Sequence, residues 1–311
     1  MNGTQSSSCP NNSAAEKIGI TFVYCVIFIV SLAGNTVIGI IVYKTQTMRK
    51  PINFFIVNMA MSDLLVPIFV IPRRIQRLNI DSWPIGGPLG QALCKLAVFL
   101  PDVSTVVSIQ SLVLIVVDRF GAVVFPLRSP LISSKLCPFF ILATWIVSIA
   151  VNTPYILVHK LVEYPEKLVC ELHWNEVFGN SSSFENYVVS DMVVFFFNPL
   201  VLITIVYIII YLKLKSQKIP GEQAANAEKQ RHQRERNVLK MAIAIVLGFA
   251  ICWLPVSIFW CIHFSTDTIK LPNCGVPHYL YCMALANCAI NPCICFIFSR
   301  NYRNELKALF R

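Results

Sequence analysis

The sequence predicts an all-α membrane protein, a seven-transmembrane helix bundle followed by a short amphipathic surface helix. The 311 residues are 56% hydrophobic and only 14% charged, whereas soluble domains carry about 25% charged residues. The apolar residues lie in blocks of about 20 or more, the length that a helix needs to cross a bilayer core of about 30 Å. The blocks are too long for barrel strands and do not alternate apolar with polar residues. The segments are therefore predicted to be α-helices, which satisfy their own backbone hydrogen bonds inside lipid.

Seven apolar segments follow one another, separated by turns rich in charged residues, proline or glycine. The predicted spans are 18–43, 53–76, 91–117, 137–158, 188–212, 238–263 and 276–298. Residues 1–17 are a polar tail that lacks the basic start and apolar core of a signal peptide. The bundle therefore occupies 18–298.

Residues 299–311 are predicted to form a cytoplasmic amphipathic helix. Its bases lie on one face, and the other face is apolar, with Tyr302, Leu306, Leu309 and Phe310. A helix of this kind lies in the membrane interface, so we expect membrane lipids among the partners of the chain.

The distribution of lysine and arginine predicts which side of the bundle is cytoplasmic. Eighteen of the 26 basic residues lie in loops, helix ends and the tail that share one side. By the positive-inside rule this side is cytoplasmic, which places the N-terminus outside a plasma-membrane protein. The net charge of +10 then reflects topology, and no nucleic acid is expected to bind. Three glycosylation acceptors, Asn2, Asn11 and Asn180, fall on the outer side.

Two cysteines on the outer side are predicted to form a disulfide. Cys94 marks the outer end of the third span, and Cys170 lies in the loop between the fourth and fifth spans. A bond between them would tie this loop over the mouth of the bundle. Cys9 and Cys274 are also outside and either form a second bridge, stay free, or leave Cys274 to pair with Cys261.

An acidic residue halfway along the second span is a candidate cation ligand. Asp63 lies at mid-membrane, where ionisable groups are costly and are functional candidates. Asn35, Ser108, Asn287 and Asn291 reach a comparable depth on other helices, so together they form an oxygen-rich set suited to a hard cation. The alternative is a structural cluster of hydrogen bonds.

A charged pair ends the third span. Asp118 and Arg119 lie where the arginine bonds its neighbour and reaches Glu235 at the start of the sixth span. Such a latch discriminates between two helix arrangements. The alternative is an ordinary interfacial arginine that extends to the lipid headgroups.

These residues match, in order, the motifs of rhodopsin-like (class A) G-protein-coupled receptors, which the whole chain resembles. From the first span to the seventh, the matching residues are Gly34-Asn35, Asn58-Met59-Ala60-Met61-Ser62-Asp63, Asp118-Arg119-Phe120, Trp145, Pro199, Tyr207, Phe249, Cys252-Trp253-Leu254-Pro255 and Asn291-Pro292. One motif alone is weak, whereas one in every span at a compatible depth is very specific.

The resemblance implies a receptor that signals to a heterotrimeric G protein. It assigns Pro199, Ile109 and Phe249 to a connector between spans, and Trp253 to a tilting element beneath the ligand. Pro255 removes a helix hydrogen bond and kinks the sixth span, which creates a hinge.

The resemblance also implies how the two states differ. Swinging of the sixth span breaks the Arg119 latch and opens a cytoplasmic cleft, which the G protein contacts through Pro126-Leu127. A sodium ion at Asp63 and its partners Ser108, Asn287 and Asn291 favours the inactive form, as population shift requires. No other cofactor is expected.

One departure from the family pattern concerns activation. Where the family has Asn-Pro-x-x-Tyr, this chain has Asn291-Pro292-Cys293-Ile294-Cys295. The tyrosine that would pair with Tyr207 in the active state is therefore absent, and we expect a shifted activation equilibrium.

The ligand is predicted to be a basic peptide. The seventh span contains no lysine for a retinal Schiff base, and the position where amine receptors carry an aspartate is Pro101, with the acid at Asp102. The outer loop 159–191 carries six acidic residues against two lysines, which steers cations. Pro72, Trp83-Pro84 and this loop resemble the neuropeptide-receptor branch near the neuropeptide FF, neuropeptide Y, orexin and galanin receptors.

The predicted ligand-binding residues are drawn from helix tops and the outer loop. They are Gln76, Asp102, Glu171, Trp253, Ser257, Trp260 and Tyr281. Arg73, Arg74 and Arg77 either pair with Asp102 or bind a carboxylate of the ligand.

Other functions fit the sequence less well. A receptor for a small amine or other small molecule is the nearest alternative. A cation transporter or channel would need a continuous polar stripe or paired broken helices, which the sequence lacks. No H-E-x-x-H or G-x-S-x-G motif occurs, so catalysis is not expected.

Overall fold

The computed structural model describes residues 13–80, 82–125, 131–216, 225–265 and 278–309, with the backbone alone at 216, 225–232, 234, 235 and 265. Within these ranges it contains seven helical spans that are long and apolar enough to cross a membrane. The predicted fold class is therefore confirmed.

The helices extend beyond most of the predicted spans. Span one is α1 (Ala14–Lys44), span two combines α2 (Pro51–Asp63) with α3 (Ile71–Asn79), span three is α4 (Gly87–Val124) and span four is α5 (Cys137–Val158). Two strands follow, β1 (His159–Glu163) and β2 (Leu168–Leu172), and then a short helix α6 (Trp174–Phe178). Span five combines α7 (Phe184–Met192) with α8 (Asn198–Ser216), span six lies within α9 (Ala225–Ser265), span seven is α10 (His278–Phe298), and α11 (Arg300–Leu309) closes the chain. A helix continues past the apolar run when polar residues at its ends still form backbone hydrogen bonds, so the apolar runs gave the shorter limits.

Two π-helical turns interrupt the spans that line one end of the bundle. They are Val66–Val70 in span two and Val193–Phe197 in span five. A π turn carries more than 3.6 residues, so the residues after it are rotated about the helix axis relative to a continuous α-helix. These turns set which side chains of α3 and α7 face the bundle interior.

An antiparallel hairpin covers the same end, which we call the hairpin end. Leu161 of β1 pairs with Cys170 of β2, and Cys170 is bonded to Cys94 of span three with a Cα–Cα distance of 5.7 Å. The predicted disulfide is therefore confirmed. Cys261 is a free cysteine, which excludes its pairing with Cys274. Cys9 and Cys274 lie outside the described residues.

A buried asparagine links three of the spans by hydrogen bonds. Asn58 of span two donates to Ser111 Oγ (2.9 Å) in span three and to Thr144 Oγ1 (3.1 Å) in span four, and it accepts from Trp145 Nε1 (2.9 Å). Every polar atom of this buried amide is thus satisfied, as a low-dielectric interior requires.

Helix α11 packs against the other end of the bundle, which we call the α11 end. Tyr302 is 1% exposed, and its hydroxyl donates to Asn53 Oδ1 at 3.3 Å. Thr45 donates to Glu305 Oε2 at 2.9 Å. The predicted amphipathic helix is present, and Tyr302 of its apolar face packs on the protein, edge-on to Phe296.

Candidate functional site

A cavity of about 350 Å³ opens at the hairpin end, between spans two to seven. Cavities of this size hold small ligands or a few residues of a peptide. Its walls combine charged side chains on spans two, three and five with aromatic rings on spans four, six and seven.

One wall of the cavity carries two carboxylates, Asp102 of span three and Asp191 of span five, which we call the acidic pair. Among the described residues, neither forms a hydrogen bond or an ion pair, and Asp191 Oδ1 is buried without a partner. Both residues are half-buried, and a carboxylate without a partner in such a place favours a cation that enters the cavity.

A second wall carries Arg73, Arg74 and Arg77 of span two, which we call the basic wall. The guanidinium carbon of Arg74 lies 3.6 Å from the ring centroid of Tyr281, and that of Arg73 lies 5.1 Å from the ring of Trp83. These cation–π contacts hold the arginines in place. No ion pair joins the basic wall to Asp102 within the described residues, so the predicted alternative in which these arginines pair with Asp102 is not formed.

Aromatic side chains form the floor and the remaining side of the cavity. Trp260 stacks on Phe264 with centroids 5.1 Å apart, and Trp253 lies deeper, with its indole N–H buried and without a partner. Below it, the rings of Trp253 and Phe249 are 6.4 Å apart and those of Phe249 and Phe196 are 5.8 Å apart. An aromatic stack therefore leads from the cavity floor into the core.

Five predicted ligand-binding residues line the cavity: Asp102, Trp253, Ser257, Trp260 and Tyr281. Two predicted residues do not. Gln76 donates to the carbonyls of Ile80 and Ser82, which turns its amide toward the following loop. Glu171 lies on β2, where it accepts from Tyr164 Oη at 2.9 Å and pairs with His173 at 3.6 Å.

Sequence reasoning missed Asp191 as a cavity residue because it counted this acid with the outer loop. Ser183 caps α7 by accepting from the backbone of Asn186, so the helix begins at Phe184 and carries Asp191 into the bundle. The serine before an apolar run was the available signal.

The outer loop contains fewer free acids than the sequence suggests. Glu176 pairs with both Lys160 and His173, and these partners hold the pKa of Glu176 below its usual range.

Burial lowers the pKa of His159 at the cavity rim, an effect that its hydrogen bond to the Tyr155 carbonyl partly offsets. His159 is therefore neutral at physiological pH, and the rim gains no positive charge from it.

The mid-membrane acid lies in the expected polar cluster. Asp63 is 1% exposed and accepts from Ser108 Oγ (3.2 Å) and Asn291 Nδ2 (2.9 Å). The amide oxygens of Asn35, Asn287 and Asn291 are buried without partners. A carboxylate and unpaired amide oxygens are ligands that suit a hard cation, and the sodium site stays a prediction.

The charged pair at the α11 end is formed. Arg119 donates through Nε (3.1 Å) and Nη2 to Asp118 Oδ2. The side chain of Glu235 is outside the described residues, so the predicted contact to span six stays a prediction. Tyr207 of span five is buried, and its hydroxyl has no hydrogen-bond partner among the described residues.

The remaining switch residues occupy the expected spans. Ile109 and Phe249 are buried in one apolar cluster, Pro199 is the second residue of α8, Pro255 lies inside α9, and Pro292 lies inside α10. Asn180 is exposed near the hairpin end. Asn2, Asn11 and the pair Pro126-Leu127 lie outside the described residues.

Comparison with known proteins identifies the architecture. Residues 34–294 match the family model described as 7 transmembrane receptor (rhodopsin family). Over 97% of its length the chain is 30% identical to a QRFP-like peptide receptor of Branchiostoma floridae, covering 80% of that protein. It is also 30% identical to the RYamide receptor of Drosophila melanogaster, over 93% of the chain and 62% of that receptor. It is 29% identical to neuropeptide FF receptor 2 of Mus musculus, over 93% of the chain and 71% of that receptor.

Proposed function

Because the chain belongs to the rhodopsin family of seven-transmembrane receptors, we propose that its cavity binds an extracellular neuropeptide and that binding activates a heterotrimeric G protein. The observation that carries the proposal is the cavity itself, whose acidic pair and basic wall form no ion pair within the described residues. Relatives named for peptides, among them a QRFP-like peptide receptor and an RYamide receptor, support a peptide as the occupant.

The receptor lies in the plasma membrane with the hairpin end outside the cell. The excess of lysine and arginine at the α11 end supports this orientation, and so does the exposed acceptor Asn180 near the hairpin end. The cavity then opens to the exterior, where a peptide arrives, and the Asp118–Arg119 pair faces the cytoplasm.

The aromatic stack transmits binding to span six. A peptide that presses on Trp253 shifts Phe249 and Phe196, which are in ring contact below it. Pro255 lies two residues beyond Trp253 and has no N–H to donate, so α9 bends most easily there. The half of span six on the cytoplasmic side then moves outward as one piece.

The ligand selects between two arrangements of the cytoplasmic end, one with Arg119 held by Asp118 and one with Arg119 released. In the structure Arg119 is held by Asp118. Release of Arg119 frees a guanidinium for other partners, and the unpartnered hydroxyl of Tyr207 is one available acceptor. A peptide shifts this equilibrium only through its higher affinity for the released arrangement.

A sodium ion bound at the Asp63 cluster would stabilise the resting arrangement. Asp63 and Ser108 would supply the first oxygens, and Asn287 and Asn291 would supply amide oxygens. The ion would neutralise a carboxylate that is otherwise buried among neutral groups.

The test is a second-messenger assay in cells that express the receptor, with a panel of neuropeptides in amidated and free-acid forms and with small amines as controls. We expect a peptide response that falls at least tenfold in potency in Asp102→Asn, Asp191→Asn and Trp260→Ala, since each removes a cavity contact. Glu171→Ala is the matched control, because Glu171 lies outside the cavity, and it should keep wild-type potency. Silence to every peptide with a response to amines would favour the small-amine alternative.

A further inference from the structure

The arginines of the basic wall have unused hydrogen-bond donors. Among the described residues no carboxylate lies within 4 Å of Arg73, Arg74 or Arg77, and none of their guanidinium groups donates a hydrogen bond. The guanidinium carbon of Arg74 lies over the ring of Tyr281, and that of Arg73 lies over the ring of Trp83. A stacked guanidinium keeps its N–H groups at the edge of the plane, where they match the two oxygens of a carboxylate.

Positive and negative groups face one cavity without meeting. The acidic pair lines the side formed by spans three and five, and the basic wall lines the side formed by span two. Ser257 of span six also lines the cavity, is 4% exposed and has no hydrogen-bond partner among the described residues. Because the two walls form no ion pair with each other within the described residues, an occupant that carries both a cation and an anion would satisfy both sides of the cavity.

We propose that the basic wall binds a carboxylate of the ligand while the acidic pair binds its cationic group. The ligand is then a peptide with a carboxylate at its inserted end and a basic side chain within a few residues of it. This inference rests on the proposed function and adds the requirement for an anion. It sets the chain apart from a receptor selective for amidated ends, since a neutral amide has one oxygen and cannot form a bidentate ion pair with arginine.

The experiment measures the unfolding temperature of the purified receptor at increasing concentrations of short peptides. The probes are Arg-Phe, Arg-Ala-Phe and Arg-Ala-Ala-Phe, each as free acid and as amide, since the distance between the two walls selects the length. An Arg-Glu-Phe amide is added to present a side-chain carboxylate. A ligand that binds the folded state raises the unfolding temperature, which yields its relative affinity.

We expect the free acid of at least one length to bind about tenfold more tightly than its amide, as one charge-assisted pair permits. The preference for the acid should disappear in Arg74→Gln and in Arg77→Gln. It should remain in Lys95→Gln, the matched control, because Lys95 lies on span three outside the cavity. Tight binding of the Arg-Glu-Phe amide in place of the free acids would support the same wall and assign the carboxylate to a side chain.

Equal binding of acid and amide at every length without tighter binding of the Arg-Glu-Phe amide would overturn the inference, and so would a preference for the acid that survives in both arginine variants. Each variant is compared with its own unfolding temperature without peptide, so lost stability is not mistaken for lost binding. A receptor that signals to amidated peptides and binds acids no better contradicts the inference alone. A receptor that activates no G protein with any peptide contradicts the proposed function.

Discussion

Replacing Asn58 by alanine should destabilise the bundle by about 3 kcal/mol. Its amide links spans two, three and four through Ser111, Thr144 and Trp145. Three hydrogen bonds between membrane helices at about 0.6 kcal/mol each contribute about 2 kcal/mol. Ser111 and Thr144 keep their bonds to the carbonyls of Val107 and Ile141, whereas the Trp145 N–H loses its partner, which costs about 1 kcal/mol more.

The assay is reversible unfolding of the purified receptor in mixed micelles titrated with sodium dodecyl sulfate, followed by circular dichroism. Asn79→Ala is the control, because the exposed Asn79 amide bonds only to Ile75 of its own helix. It should change the free energy of unfolding by less than about 0.5 kcal/mol. In Trp145→Phe the indole donor is already gone, so adding Asn58→Ala should cost less than it does in the wild type. An Asn58→Ala variant as stable as the Asn79→Ala control would refute the reasoning.

Three further variants test other parts of the structure. Gly34→Ala should lower the free energy of unfolding by about 1–3 kcal/mol, because its Cβ would lie 2.7 Å from Pro292. Gly39→Ala is the control, because its Cβ meets no atom within 4 Å, and equal stabilities of the two variants would contradict this packing. Cys295→Tyr should raise basal coupling in a second-messenger assay by supplying a hydroxyl near span five, and Cys295→Phe, which adds the bulk alone, should not; a tyrosine variant with unchanged basal and agonist-driven coupling would count against a shifted equilibrium. Sodium should lower basal coupling of the wild type in membranes but not of Asp63→Asn, with potassium as the control salt; an equal sodium effect on both receptors would exclude the proposed ion site.

The positions of the spans could be predicted from the sequence because each span depends on its own run of residues. The disulfide could be predicted because charge counting places both cysteines on one side of the membrane. Twenty apolar residues require a helix in lipid, and the limits of span four were predicted at both ends. Cys94 and Cys170 lie on the same side of the membrane by charge counting alone, and the hairpin then brings them together.

Positions within the site depended on details that the apolar pattern does not contain. The cap at Ser183 and the π turn after α7 determine where Asp191 lies, and a search for apolar runs detects neither. Gln76 bonds to the carbonyls of a loop whose path is set by tertiary packing. Tyr302 is amphipathic, and only the contact with Asn53 shows that its ring packs on protein.

The charge of the binding site also could not be predicted from the sequence pattern alone. Counting acids in the outer loop predicted an acidic lid, yet Glu176 and Glu171 are bonded to neighbours in that loop. In the cavity, Asp102 and Asp191 form no hydrogen bond or ion pair with any described residue. Net charge of a segment predicts steering, whereas binding depends on which charges the fold leaves without counter-charges.

The central claim is that a peptide in the cavity moves the cytoplasmic half of span six. Its most direct measurement is the distance between spin labels at Phe125, exposed after span three, and Asn237, exposed at the start of span six, with the exposed Cys25 and Cys293 replaced. With G protein present, the most potent peptide of the screen should lengthen this distance, and Pro255→Ala should reduce the change. An unchanged distance with and without peptide would contradict the account.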